Sequence, residues 1–102
     1  HLQETLNIGK IEYEPELSLL HLGEGTKKLT TKENMLLRLL VQNQNELLDR
    51  QAALRAVWGD DNYFNGRSMD VYIAKLRKLL KEDASIEIMN VHGIGFKLLV
   101  KQ

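Results

Sequence analysis

The sequence predicts a single α+β domain, and three features of its 102 residues support this fold class. Short runs of alternating apolar and polar residues fill the first 30 positions, which is typical of antiparallel strands. Three amphipathic patterns of helical period follow, and a second alternating stretch ends the chain. With 43% hydrophobic and 27% charged residues, the composition is that of an ordinary globular domain with one core.

The first 30 residues, through "NIGKIEYEPELSLLHLGEGTKKLT", predict three short antiparallel strands. The apolar runs at 8–13 and 17–22 form the first two strands, and the third is expected around 27–29. Pro15 and the "GEG" at 23–25 are typical of turns and are expected between the strands.

The next segment predicts two capped helices. "TTKE" at 30–33 has the form of a capping box, with Thr30 as the N-cap and Glu33 three residues later. Asp49 is placed to cap a second helix, Arg50 to Trp58, and Gly59 to end it. The residues of the first helix expected to face the core are Met35, Leu36, Leu39 and Leu40.

A polar loop, "DDNYFNG" at 60–66, is expected before the third helix, which is predicted from Arg67 to about Lys81. Its core-facing stripe consists of Met69, Ile73, Leu76 and Leu80. A β-hairpin around the "HGIG" turn at 92–95 follows. Its apolar positions are Ile86, Ile88, Val91, Phe96, Leu98 and Val100.

The outer face of the third helix indicates the function. Val71 and Ala74 lie there among cationic side chains, whereas a solvated face usually mixes both signs of charge. Helix, turn, helix and hairpin in this order define a winged helix-turn-helix, in which the third helix enters a DNA major groove. Methyl groups can meet thymine methyls there, and cations can reach phosphates or guanine edges. The cations of this face and its flank are Arg67, Lys75, Arg77 and Lys78.

Charge and motifs narrow the alternatives. The formal net charge is zero, but residues 50–102 hold nine Lys or Arg against six Asp or Glu. There is no cysteine, which fits a reducing compartment. "GRSMD" lacks the second glycine of a nucleophile elbow, and "GIG" lacks the third glycine of a dinucleotide motif and fits a tight hairpin turn. The histidines lack zinc-site spacing, so neither an enzyme nor a metal or cofactor site is expected.

Four segments resemble the DNA-binding effector domain of OmpR/PhoB-type response regulators, over nearly the whole chain. They are "LTTKE" at 29–33, "DRQAALRAVWG" at 49–59, "RSMDVYIAKLRKLL" at 67–80 and "NVHGIGFKLL" at 90–99. The resemblance implies a four-stranded N-terminal sheet, so one more short strand is expected near residues 2–5 or 46–48. Residues 1–6 are expected to be a linker remnant or that first strand.

The resemblance also implies a set of DNA-binding residues. Val71 matches a valine that meets base methyls, Arg77 a basic residue that reads a base, and Asp70 an acid that holds a neighbouring arginine. His92 stands where the family usually has arginine, so a permanent cation is replaced by a group that titrates near neutral pH. The expected contact residues are Arg50, Trp58, Arg67, Ser68, Val71, Tyr72, Lys75, Arg77, Lys78, His92 and Lys97.

Partners follow from the same resemblance. A phosphoacceptor receiver domain is expected upstream, with control by phosphorelay in a two-component system of the bacterial cytoplasm. Two copies are expected on repeated half-sites of double-stranded DNA, and loop 60–66 is expected to engage RNA polymerase. The alternative hypothesis is a protein-interaction module that docks through helix 67–81 or loop 60–66. Salt dependence separates the two hypotheses, since release of counterions from DNA makes its binding fall steeply with salt.

Overall fold

The computed structural model describes residues 4–101. The first four strands are β1 (Leu6–Ile8), β2 (Ile11–Glu14), β3 (Leu19–Leu22) and β4 (Gly25–Lys28). Then follow α1 (Thr31–Gln42), β5 (Leu47–Asp49), α2 (Arg50–Trp58), α3 (Tyr63–Leu80), β6 (Ile86–Val91) and β7 (Gly95–Val100). In this part of the chain, no helix combines the length and apolar character that crossing a bilayer requires.

β1 to β4 form an antiparallel sheet in sequence order. The run at 8–13, predicted as one strand, is two strands, because Gly9 turns the chain with a φ of +58°. The additional strand is therefore β1, which confirms the expected four-stranded N-terminal sheet. It begins at Leu6, directly after the expected position near 2–5; residues 4 and 5 are not in a strand, and residues 2 and 3 lie outside the described range. The other expected position, 46–48, does contain a strand, but β5 belongs to the second sheet. Gly25 starts β4 instead of lying in a turn.

The second sheet has the order β5-β7-β6, and its β6–β7 hairpin is the predicted wing. Gly93 lies in the hairpin turn with a φ of +73°. Gly95 serves a different purpose, because a Cβ there would lie 2.0 Å from the carbonyl oxygen of Leu48 in β5. The second glycine of "GIG" therefore allows the wing to approach β5 closely, in addition to the turn made by the first.

One hydrophobic core joins both sheets and all three helices. Tyr13 of β2 is fully buried, and its hydroxyl donates to the carbonyl oxygen of Asn34 in α1 at 3.0 Å. Burial raises the pKa of this phenol to about 12, because the charged form would be desolvated. The first sheet is thus attached to α1 through both apolar packing and a partly buried hydrogen bond.

The caps of α1 and α2 are confirmed. The backbone N–H of Glu33 donates to Thr30 Oγ1 at 3.3 Å, and the N–H of Thr30 donates to Glu33 Oε1 at 2.8 Å. Asp49 accepts from the N–H of Ala52 at 2.9 Å. The buried face of α1 is rotated from the prediction: Met35 is exposed and Leu39 only partly buried. Leu37, which was not predicted, is fully buried between Leu36 and Leu40.

The predicted start of α3 at Arg67 is wrong, because the helix begins one turn earlier. Asn62 is its N-cap and accepts from the backbone N–H of Asn65 at 2.9 Å. Gly66 is therefore a helical residue rather than a loop glycine. The loop expected at 60–66 is reduced to residues 60–62.

Candidate nucleic-acid interface

The inner and outer faces of α3 are separated as the sequence predicts. The core stripe, Met69, Ile73, Leu76 and Leu80, is no more than 2% exposed. Val71 is 54% exposed on the opposite side. Because the stripe already anchors the helix, its outer face is available for a partner.

Arg67 lies on the exposed N-terminal part of α3. Its Nη1 donates to the hydroxyl of Tyr63, one turn earlier, at 3.1 Å, and its guanidinium lies 5.9 Å from that ring's centre. Ser68, next to it, is exposed. The tyrosine limits the rotamers of Arg67 but leaves other N–H donors of the guanidinium for a phosphate or a base.

Trp58, at the end of α2, packs edge to face on Tyr72 of α3, with ring centres 5.5 Å apart. Lys75 Nζ lies 5.2 Å from the centre of the Tyr72 ring. On the other side, Lys32 Nζ of α1 lies 5.6 Å from the centre of the Trp58 ring. Three predicted contact residues thus form one cluster, in which the aromatic rings hold ammonium groups near the surface.

Arg50 ties α2 to α3 and to the wing. Its Nη1 donates to Asp70 Oδ1 at 2.7 Å, and its Nη2 donates to Gly66 O at 3.0 Å. A Cβ at Gly66 would lie 3.1 Å from Nη2, so glycine permits this close approach. The backbone N–H of Arg50 donates to Ile94 O at the wing tip at 2.9 Å. The expectation that Asp70 holds a neighbouring arginine is confirmed.

Arg77 lies between α3 and the wing. Its Nε donates to the backbone oxygen of Ile88 in β6 at 3.0 Å. A cleft of about 250 Å³ between the helix and the wing tip is lined by Arg50, Asp70 and Arg77, among others. Two of the expected DNA contacts, Arg50 and Arg77, therefore also hold α3 and the wing in place.

The remaining expected contacts lie at the edges of this surface. His92 is exposed in the hairpin turn. Lys97 lies in β7 between the buried Phe96 and Leu98, and strand alternation places it on the sheet's outer face, away from the core. Lys78 lines a cavity shared with β4. The structure thus groups the α2 and α3 residues, and it places Lys97 on another face.

Two residues near this surface were not predicted as site residues. Ile94 is exposed at the wing tip, and the partly buried Lys32 belongs to the Trp58 cluster. Phe64, which is 78% exposed beside Tyr63 at the start of α3, lies within the 60–66 segment expected to contact a protein. The spacing of Asn62 and Asn65 signals the earlier helix start that exposes the aromatic pair. Nothing in the local pattern of α1 indicates that Lys32 reaches α2.

Residues 24–98 match the model of a family described as "Transcriptional regulatory protein, C terminal". The chain belongs to this family. It is 55% identical over 95 residues to the transcriptional regulatory protein RprY of Bacteroides fragilis, covering 93% of this chain and 40% of RprY. The chain therefore spans well under half the length of that relative.

Solved structures agree with this assignment. The RstA DNA-binding domain of Klebsiella pneumoniae, in complex with RstA box, matches with a TM-score of 0.77 and 28% identity. That match covers 94% of this chain and 97% of the RstA chain. The DNA-binding domain of CpxR from E. coli matches with a TM-score of 0.83 and 22% identity, covering 97% and 99%, and supports the fold alone.

These findings confirm the winged helix-turn-helix fold and the resemblance to OmpR/PhoB-type effector domains. The chain is a DNA-binding domain of transcription regulation. The family is described as part of transcriptional regulatory proteins, in agreement with the expectation that the chain is not an enzyme.

Proposed function

We infer that α3 reads a specific sequence in the major groove of double-stranded DNA while the wing follows the backbone. The observation that carries this assignment is the outer face of α3, where the exposed Val71 lies among cations. An apolar side chain can distinguish thymine by its methyl group, and the surrounding cations can bind phosphates or guanine. Val71, Lys75 and Arg77 are the proposed base-reading residues.

The proposed backbone contacts lie around this reading face. Trp58 and Tyr72 can donate an N–H and an O–H to phosphate oxygens, as can Ser68. Arg67 and Lys78 add positive charge on α3, and His92 adds a donor in the wing turn. Lys97 is a proposed contact from the outer face of the wing, apart from the group formed by the α2 and α3 residues. Arg50 is bound to Asp70 and Gly66, so its proposed role is to position α3 while any remaining donor approaches a phosphate.

The wider setting is also proposed. RprY carries additional chain beyond the matched part, which is consistent with a receiver domain joined to this domain in a longer response regulator. Such a protein would act in the bacterial cytoplasm under phosphorelay control and bind repeated half-sites as a dimer. Because each copy of the protein would bind one half-site, the DNA site would contain two half-sites in a two-fold or tandem arrangement.

The test is selection of random duplexes with the wild-type domain, followed by titration of the selected and an unrelated duplex. Lys75→Ala is expected to weaken selected binding by about 1–3 kcal/mol, with a smaller loss on unrelated DNA, if Lys75 reads a base. Lys101→Ala is the matched control, since Lys101 lines a separate cavity with Asn7 and Asp83. Failure of the wild-type domain to enrich any sequence would contradict the proposed function.

A second surface favours a protein partner. Tyr63 and Phe64 stack edge to face with ring centres 5.7 Å apart, and they are 69% and 78% exposed. Aromatic side chains exposed together are typical of protein contacts. We propose that this pair, next to the shortened 60–62 loop, engages RNA polymerase while α3 remains on DNA. Loss of transcription activation by Phe64→Ala with unchanged DNA affinity would support this role.

A further inference from the structure

A group of lysines outside α3 and the wing lies beside the reading helix. Lys27 and Lys28 of the edge strand β4 line a cavity of about 730 Å³ opposite Lys75 and Lys78 of α3. Lys32 at the start of α1 lies on the Trp58 ring, which packs on Tyr72 beside Lys75. We call Lys27, Lys28 and Lys32 the β4–α1 lysines.

The carboxylates of this cavity do not neutralise these lysines by direct contact. Three carboxylates line it: Glu33 accepts from the N–H of Thr30 in the capping box, Glu82 accepts from the N–H of Gly23 at 2.9 and 3.2 Å, and Glu24 is exposed. Across residues 4–101, no carboxylate oxygen lies within 4.0 Å of the ammonium groups of Lys27 or Lys32. Their charge is therefore available to an anionic partner.

Contacts with the protein restrict the side chains of two of the β4–α1 lysines. Lys28 Nζ donates to the carbonyl oxygen of Leu17 at 2.7 Å. Lys32 Nζ is held over Trp58 and lies 3.5 Å from the carbonyl oxygen of Val57. Because part of the side-chain entropy is already lost, binding an anion there costs less than ordering a free lysine.

We propose that the β4–α1 lysines bind the sugar-phosphate backbone of the same DNA duplex that α3 reads. The occupant follows from charge complementarity and from continuity, since these lysines adjoin Lys75, Trp58 and Tyr72 of the proposed interface. The wing contacts another flank of α3, where Arg77 donates to Ile88 of β6. The duplex would thus be held on two flanks of the reading helix. This inference rests on the proposed function for its geometry.

The test is the salt dependence of DNA binding, measured from titrations at several salt concentrations. Each phosphate contact contributes about 0.9 to the slope of log affinity against log salt. The double variant Lys27→Gln/Lys32→Gln is expected to reduce the steepness by about 1.8, on the selected and on unrelated DNA alike. Lys10→Gln/Lys101→Gln is the matched control, and its slope should equal that of the wild type.

Duplex length gives a second readout. As the selected duplex is shortened from one end, the difference in salt slope between the wild type and the double variant should disappear while base preference remains. Shortening from the other end should leave the difference intact. Lys32→Arg should retain the wild-type slope, because it keeps the charge over Trp58.

A thermal melt shows whether the double variant is folded. An unchanged slope in the folded variant would overturn the proposal and show that the β4–α1 lysines remain in solvent when DNA binds. Weaker affinity with an unchanged slope would also overturn it and assign Lys32 a purely structural role at Trp58. These outcomes are separate from failure of the proposed function. The slope is measurable on unrelated DNA, even if no sequence is selected.

Discussion

Val71→Ala removes two methyl groups from the exposed face of α3, and its effects on stability and on binding can be estimated separately. A buried CH₂ contributes about 0.8 kcal/mol, so the two groups are worth about 1.6 kcal/mol if fully covered. Val71 is 54% exposed, so roughly half of this free energy is gained only when the DNA covers the exposed part of the side chain. Binding to the selected site should therefore weaken by about 0.9 kcal/mol, which is four- to fivefold.

The other half is already covered in the free domain, which predicts a loss of about 0.7 kcal/mol of stability. Alanine offsets most of this loss, because its helix propensity exceeds that of valine by up to about 0.7 kcal/mol. The free energy of unfolding should consequently change by no more than about 0.5 kcal/mol. A thermal melt of both proteins measures this change.

Thymine-to-uracil replacement shows whether the lost contact is with a base methyl. Uracil in place of thymine at one position of the selected site should weaken binding of the wild-type domain, and we call this loss the uracil penalty. Val71→Ala should bind both duplexes equally. Val41→Ala in α1 makes the same chemical change away from the interface and should keep the wild-type uracil penalty. A loss of stability well above 1 kcal/mol, with an unaltered uracil penalty, would refute the assignment of Val71 to the interface.

Three further substitutions test the surroundings of the reading helix. Asp70→Asn removes the charge partner of Arg50, whose side chain is 26% exposed, and should cost about 0.5–1 kcal/mol in a thermal melt. It should also weaken selected binding more than unrelated binding, and equal losses would contradict a positioning role. His92→Arg should tighten binding at pH 7.5, since arginine stays charged; an unchanged affinity would remove the wing turn from the backbone. Hydrogen bonds from the Ser85 side chain and from the Lys10 and Ser85 backbone lower the pKa of Asp83, so Asp83→Asn should reduce the melting temperature at pH 7. Because the folded state favours the charged carboxylate, that difference should shrink as the pH falls below about 4; a constant difference would contradict the charge contribution.

The arrangement of Arg50 explains how a small domain keeps its reading helix and wing in register. Its guanidinium reaches Asp70 and Gly66 in α3, and its backbone N–H reaches Ile94 in the wing. A guanidinium has several donors in a fixed plane, so one side chain can donate to Asp70 and to Gly66 at once. Substituting lysine at this position would remove the paired contact with Asp70 even though it preserves the charge.

The sequence by itself determined the features that depend on neighbours along the chain. The capping box at Thr30, the cap at Asp49 and the buried stripe of α3 follow from hydrogen bonds and periodicity within a few residues. The exposure of Val71 follows from the same periodicity. Even the early start of α3 was encoded locally, in the side chain of Asn62, although the prediction placed it one turn too late.

Only the tertiary structure decided the features that join distant segments. Gly95 is required because the wing approaches the carbonyl of Leu48. The arginine that Asp70 was expected to hold is Arg50, twenty positions earlier, because α2 packs against α3. Lys32 reaches the Trp58 cluster in the same way. Local periodicity specifies which face of a helix is apolar, but not which side chains of another element will lie against it. That choice depends on how the elements pack around the common core, and it brought the β4–α1 lysines beside the reading helix.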